Sequence, residues 1–143
     1  MEQRVETPTD KDLARIEELR EWVRGFFEAA SQPLYEEYNQ KLRLLNAILR
    51  NGWIEPSKTW ELQSLGIALG DALVQRCGFE WVVVEDEHGR DPALRLPGTT
   101  IIVYPLTMIS KRVEKGESVD VSALIDGVAQ KAEELRARFQ EPT

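Results

Sequence analysis

Between Glu85 and Asp91 the chain reads E-D-E-H-G-R-D, four carboxylates gathered round its one histidine. Oxygen ligands of this kind suit magnesium or calcium, and a histidine can move a proton near neutral pH. The chemistry within reach is acid–base work or metal-assisted hydrolysis, with Asp86, His88 and Asp91 as its residues. The spacing departs from a calcium loop, which alternates acidic ligands and ends on a distal glutamate. No H-x-x-x-H or C-x-x-C occurs to hold zinc. The same residues also describe an exposed turn whose charges keep a sheet edge from pairing with another chain. That structural reading is preferred, because an exposed turn carries charged residues anyway.

Asp71 is the second candidate. It follows Gly70 within the most apolar stretch of the chain, W-E-L-Q-S-L-G-I-A-L-G-D-A-L-V-Q-R-C. A carboxylate partly buried there needs a partner, and Arg90, Arg95, Lys111 or Arg112 can supply one. Asp71 can then serve as a general base or ligand, as half of an ion pair locking helix to sheet, or as a solvent-facing residue. Structural ion pairs perturb carboxylates as readily as active sites do, so a catalytic role is the lesser reading.

Other reactive patterns are missing. G-I-A-L-G lies inside a helix and not between strand and helix, and neither G-K-[ST] nor G-x-G-x-x-G occurs to cradle a phosphate. There is no G-x-S-x-G. Any nucleophile–histidine pair would have to use His88 in a turn, a poor place to hold a general base. No catalytic, cofactor-binding or metal set is therefore assigned, and no cofactor is expected.

A formal net charge of −7 and a pI near 4.9 would repel a phosphate backbone on average, which argues against nucleic acid and anionic membranes as partners. The start, M-E-Q-R-V-E-T-P-T-D, holds no apolar leader, and no run approaches a membrane span. Cys77 is the only cysteine, which fits a reducing cytoplasm. Its place at the end of an apolar helix reads as a small buried hydrophobe more than a reactive thiol.

The elements that must position these residues follow from periodicity. Residues 1–8 read as a loose terminus. Thr9 and Asp12 form a capping box for a first helix with Leu13, Ile16, Leu19, Val23, Phe26 and Phe27 on one side. Pro33 starts a second, striped by Leu34, Tyr38, Leu42, Leu45 and Leu49 and stopped at Asn51-Gly52. Ser57 or Thr59 caps the third, apolar round most of its circumference through Trp60, Leu62, Leu65, Ile67, Leu69, Leu73 and Val74. Gly66 and Gly70 inside it predict close approach of the sheet or of Trp81, since glycine otherwise weakens a helix. Strands are expected at 79–86, 93–96 and 100–104, joined by a turn at Glu87–Asp91 and a Pro97-Gly98 turn. A short helix at 106–113 and a last one capped by Asp120 or Ser122, striped by Leu124, Val128, Ala132, Leu135 and Phe139, complete the order. Residues 141–143 read as a frayed end. At 143 residues the chain is read as a single α+β domain of order α-α-α-β-β-β-α-α, with a helical pair at 9–52 and a helix-sheet-helix core at 53–140 built on a three-stranded antiparallel meander.

The linked motifs L-G-I-A-L-G-D-A-L (65–73), F-E-W-V-V-V-E-D (79–86), G-R-D-P-A-L (89–94) and P-L-T-M-I-S-K-R (105–112) resemble a bacterial family of small proteins known only as a domain of unknown function. The resemblance covers Trp53 to Leu135. It implies a small α+β domain, brings no activity, and marks Gly66, Gly70, Asp71, Trp81, Asp86, Asp91, Pro105 and Lys111 as the positions that stand out.

The leading expectation is a non-enzymatic, cytoplasmic protein-interaction module of adaptor, chaperone-like or immunity type, with another protein as partner. Of the tryptophans, Trp22, Trp60 and Trp81 read as core, and Trp53 as the exposed contact. Arg90, Arg95, Lys111 and Arg112 join Trp53 as the candidate binding surface. The alternative is a small metal-assisted hydrolase using Asp71, Asp86, His88 and Asp91. Homodimerisation through Trp53 or the outer helix faces is a third expectation.

Overall fold

The computed structural model describes residues 2–140, excepting the side chains of 139 and 140. The expected place of Phe139 in a buried stripe and the expected frayed end at 141–143 therefore lie outside the described residues. The elements are β1 (Arg4–Glu6), α1 (Asp10–Arg24), a 3-10 stretch (Ala29–Glu36), α2 (Tyr38–Arg50), α3 (Thr59–Cys77), β2 (Glu80–Asp86), β3 (Gly89–Arg95), β4 (Ile102–Val103), a 3-10 turn (Pro105–Thr107), α4 (Met108–Glu114) and α5 (Val121–Gln140). Helices and sheet segregate as the α+β expectation has it, and the sheet is antiparallel throughout.

The sheet has four strands in the order β1-β2-β3-β4, not three. Arg4–Glu6, expected to be loose, pairs with β2 in the register Arg4↔Glu85, Val5↔Val84 and Glu6↔Val83. Three residues are too few to show an alternating pattern in sequence. The turn is also tighter than expected. Asp86 pairs with Gly89, so Glu87 and His88 alone turn the chain, while Arg90 and Asp91 belong to β3. Gly89 takes φ 137°, a conformation open to glycine.

Helix α3 is the centre. Leu62, Leu65, Ile67, Ala68, Leu69, Ala72 and Leu73 are all fully buried, and α1, α2, α4 and α5 each pack on it. Trp60 departs from the expected buried face and is 40% exposed, as is Leu13 of α1 at 49%. The helix begins at Thr59 with Lys58 as its N-cap and no side-chain cap, so neither Ser57 nor Thr59 caps it. At the other end Gly78 closes it in the left-handed conformation, as read from sequence.

The glycine notches are filled from within the chain. A Cβ on Gly70 would lie 2.5 Å from the Trp81 ring, and one on Gly66 would lie 2.5 Å from the carbonyl oxygens of Pro105 and Leu106. The indole is as expected; the neighbour of Gly66 is the 3-10 turn and not the sheet. Pro33 does not start α2 but sits within the 3-10 stretch, after which Glu37 is extended and α2 starts afresh. That break rotates the stripe. Tyr35, Lys41, Leu45 and Ile48 are buried, whereas Leu34, Tyr38, Leu42 and Leu49 are only half covered. The capping box of Thr9 and Asp12 and the Asp120 cap of α5 are as expected. Among the described residues no helix is long and apolar enough to cross a membrane.

Candidate functional site

The most elaborate polar arrangement is built on Asp71. Helix α3 turns this carboxylate toward α1, the 3-10 stretch and β2, and each sends it a donor. Arg20 Nε donates to Oδ2 at 2.6 Å and its Nη2 to Oδ1 at 2.8 Å. The Tyr35 hydroxyl donates to Oδ2 at 2.5 Å and Trp81 Nε1 to Oδ1 at 3.1 Å. A carboxylate offers about four acceptor positions, so Asp71 is saturated. None is left for a metal ion or a substrate proton. The partners expected from sequence, Arg90, Arg95, Lys111 and Arg112, are not the ones used. Arg20 is, a charge four residues after Ile16 and three before Val23, on the flank of the α1 stripe.

Charge spreads outward from this knot. Arg20 also donates to Glu17 at 2.6 Å. Arg24 reaches Glu17 at 3.1 Å, Glu36 at 3.3 Å, and Glu21. Tyr35 is 1% exposed; burial first, then the Asp71 charge, pushes its hydroxyl well above the ordinary tyrosine range. The hydrogen bond to Asp71 holds the Arg20 guanidinium protonated. Lys41 is buried too, with its ammonium 2.7 Å from Gln75 Oε1 and 4.7 Å from the Tyr35 ring centroid. Burial lowers its pKa. Arg20, Tyr35, Lys41 and Gln75 are the residues sequence reasoning missed. The one signal available for them was a lysine at stripe spacing, Lys41, three residues after Tyr38 and four before Leu45.

The acidic segment resolves into separate pairs. Asp86 Oδ1 accepts from the backbone N–H of His88 at 2.8 Å. Asp91 lies 3.8 Å from Arg15. The His88 side chain is 85% exposed, with only Glu87 beside it at 3.5 Å. Asp71, Asp86, His88 and Asp91 are thus not brought together. Among the described residues no group of three or more His, Cys, Asp or Glu side chains is placed to hold a metal ion. Cys77 is half-buried, and burial raises its thiol pKa above the ordinary value.

The cationic candidates are also dispersed. Arg90 binds Asp12 through Nε at 3.0 Å and Nη2 at 2.6 Å, and reaches Glu6 at 3.3 Å and Glu85 at 3.7 Å. Its hydrogen bonds hold the Asp12 carboxyl well below the usual carboxylate range. Arg95 pairs with Glu80 at 2.9 Å, and Lys111 and Arg112 are exposed on α4. Arg90 and Trp53 sit at opposite ends of α1, whose 15 residues span about 22 Å, so the five do not make one surface.

Trp53 does have neighbours. Its ring stacks on Phe26 with centroids 6.3 Å apart and planes 7° from parallel. Phe26 meets Trp22 edge-on at 5.0 Å, and Trp22 meets Trp60 edge-on at 5.9 Å. Trp53 is 56% exposed and Trp60 40%. A hollow of about 360 Å³ opens among Trp22, Phe26 and Trp53, rimmed by Glu55, Lys58 and Glu61.

Comparison with known proteins bears on the fold and not on a reaction. No functionally curated protein matches the chain. A crystal structure from Bacteroides thetaiotaomicron VPI-5482 at 1.50 Å resolution is similar to it, with a TM-score of 0.73 at 20% sequence identity. The alignment covers 91% of this chain and 48% of that one, so the chain spans about half the length of its structural neighbour. At that identity the likeness shows the fold alone. The family model described as a domain of unknown function, DUF3806, matches residues 41–124, from α2 through α3 and strands β2, β3 and β4 into α5. With more than half its length so matched, the chain belongs to DUF3806, a family of domains of unknown function.

Proposed function

We propose that this domain is a non-enzymatic protein-interaction module that engages its partner through the aromatic face at the carboxyl end of α1. The observation that carries this reading is Trp53, more than half exposed and held flat against Phe26 beside Trp22 and Trp60. Exposed, mutually stacked aromatic rings are the side chains that dominate the energetics of protein interfaces. Two of the three charged groups at the rim, Glu55 and Glu61, are acidic, as is the chain as a whole. A partner segment presenting arginine or lysine fits both features, since a cation rests on an aromatic face and pairs with a carboxylate. The lone, half-buried Cys77 is compatible with a cytoplasmic setting.

The competing reading, a metal-assisted hydrolase using Asp71, Asp86, His88 and Asp91, has weaker support. Asp71 has no free acceptor position, Asp91 stands against Arg15, and Asp86 meets His88 only through the histidine's backbone N–H. The experiment is capture from the native host on immobilised wild type, Trp53→Ala and Trp60→Ala, each checked by circular dichroism. A protein retained by wild type and lost from both folded variants supports the proposal. Equal capture by all three, or turnover of a substrate enhanced by magnesium, manganese or calcium, counts against it. Sedimentation over a range of concentrations separates a second copy of this chain from a different partner.

A further inference from the structure

Helix α5 has one broad apolar face, and the core covers only part of it. Val121, Ile125, Ala129 and Ala132 are buried inward. Round the same helix Leu124, Val128 and Leu135 are only partly covered and face Ile101–Val103 across an open groove of about 540 Å³. That volume falls within the range of small-molecule sites, which are mostly apolar with a few placed polar groups.

Two independent features say what the groove is shaped to take. The first is Gly127, which lies in the groove and in the interior of a 20-residue helix, where glycine is unfavourable relative to alanine. Gly66 and Gly70 have an internal reason, because Leu106 and Trp81 occupy the space a Cβ would need. A Cβ on Gly127 would meet nothing within 4 Å. The chain itself makes no use of that bareness, and a molecule lying close against the helix would. The second is charge. Arg112 and Lys131 line the groove, no carboxylate does, and the chain as a whole carries −7. Among the described residues neither cation enters an ion pair; Arg112 donates only to the Met108 carbonyl at 2.8 Å.

We propose that this groove binds an anionic amphiphile, a straight-chain carboxylate of the fatty-acid class. The alkyl chain lies along the Leu124, Val128 and Leu135 stripe over Gly127, and Arg112 and Lys131 hold the carboxylate. The site is separate from the aromatic face and does not depend on it.

The test is calorimetric titration of the full chain with dodecanoate, dodecanol and dodecyltrimethylammonium, each below its micelle-forming concentration. Dodecanoate should bind about tenfold more tightly than dodecanol, as one charge-assisted contact implies, and the cationic amphiphile should bind least. In the Arg112→Ala, Lys131→Ala double variant that preference should disappear while dodecanol affinity stays unchanged. Gly127→Leu should abolish dodecanoate binding. Leucine favours a helix over glycine, so this variant should melt no lower than wild type, and its loss of binding would not be loss of fold. Equal affinity for the three amphiphiles, undiminished binding by Gly127→Leu, or binding only to phosphatidylglycerol vesicles would overturn the proposal.

Discussion

Asp71 is held by donors from three segments, and each does something different for it. Arg20 supplies the compensating charge in a two-pronged contact, while Tyr35 and Trp81 fill the remaining acceptor positions with neutral groups. The side chains of Arg20 and Asp71 are 21% and 13% exposed, so water screens the pair little. Breaking one partner of such a pair is far more damaging than replacing the pair, because a charge is left uncompensated. Asp71→Asn places an amide where one carboxylate oxygen accepted two hydrogen bonds. It should lower unfolding free energy by about 3 kcal/mol in urea denaturation. Exchanging both partners for apolar residues, as in Arg20→Met with Asp71→Leu, should cost less than Asp71→Asn alone. A catalytic aspartate would give the opposite pattern, loss of turnover with little loss of stability.

At the scale of elements, three helical glycines in this chain separate into two kinds. Gly66 meets backbone carbonyl oxygens, which cannot swing aside as a side chain would, so Gly66→Ala should cost about 1–3 kcal/mol by overpacking. Gly127 meets nothing, so Gly127→Ala should raise stability by about 0.5–1 kcal/mol. Thermal unfolding of the two variants side by side checks both signs. The approach of Trp81 to Gly70 was readable from sequence because the residues lie on consecutive elements, with a helix stop at Gly78 between them. The partners of Asp71 were not, because Arg20 and Tyr35 stand 51 and 36 residues away and helical periodicity carries no information across such a distance. Pro33 misled for a local reason: proline suits the first turn of an α-helix, yet here it lies inside the 3-10 stretch Ala29–Glu36, and only the extended Glu37 marks where α2 begins. Trp60 continues an apolar seven-residue repeat with Ile67 and Val74, yet the repeat runs past the edge of the core near the start of α3, where Trp22 is its neighbour. The aromatic face was therefore legible in one residue, Trp53, and hidden in the other three.

For the whole molecule, the join between α1 and the sheet is ionic at one end and apolar at the other. Arg90 of β3 ties Asp12 at the start of α1 to Glu6 of β1 and Glu85 of β2, and Arg4 reaches Glu85 at 2.5 Å. Further along α1, Ile16 and Leu19 pack with Ile67, Leu106 and Trp81. Since the folded carboxyl of Asp12 is depressed by its hydrogen bonds to Arg90, its stabilisation is complete above the unfolded value of about 3.9. That stabilisation is lost as pH falls toward the lower folded value. Wild type should therefore lose stability more steeply below about pH 4 than Arg90→Gln, which has less to lose, when urea unfolding is followed at stepwise lower pH. The same comparison at high salt should narrow the gap, since these side chains are partly exposed. The knot at Asp71 has a consequence for how the chain is made. When α3 has just left the ribosome, Arg20 and Tyr35 are already available to its acid, but the Trp81 indole that completes the set is still inside the exit tunnel. Until β2 arrives, one acceptor position on the Asp71 carboxylate stays open to water. A chain stalled at that length also leaves the Gly70 notch of its most apolar helix unfilled, so that apolar surface stays in contact with water until the sheet closes.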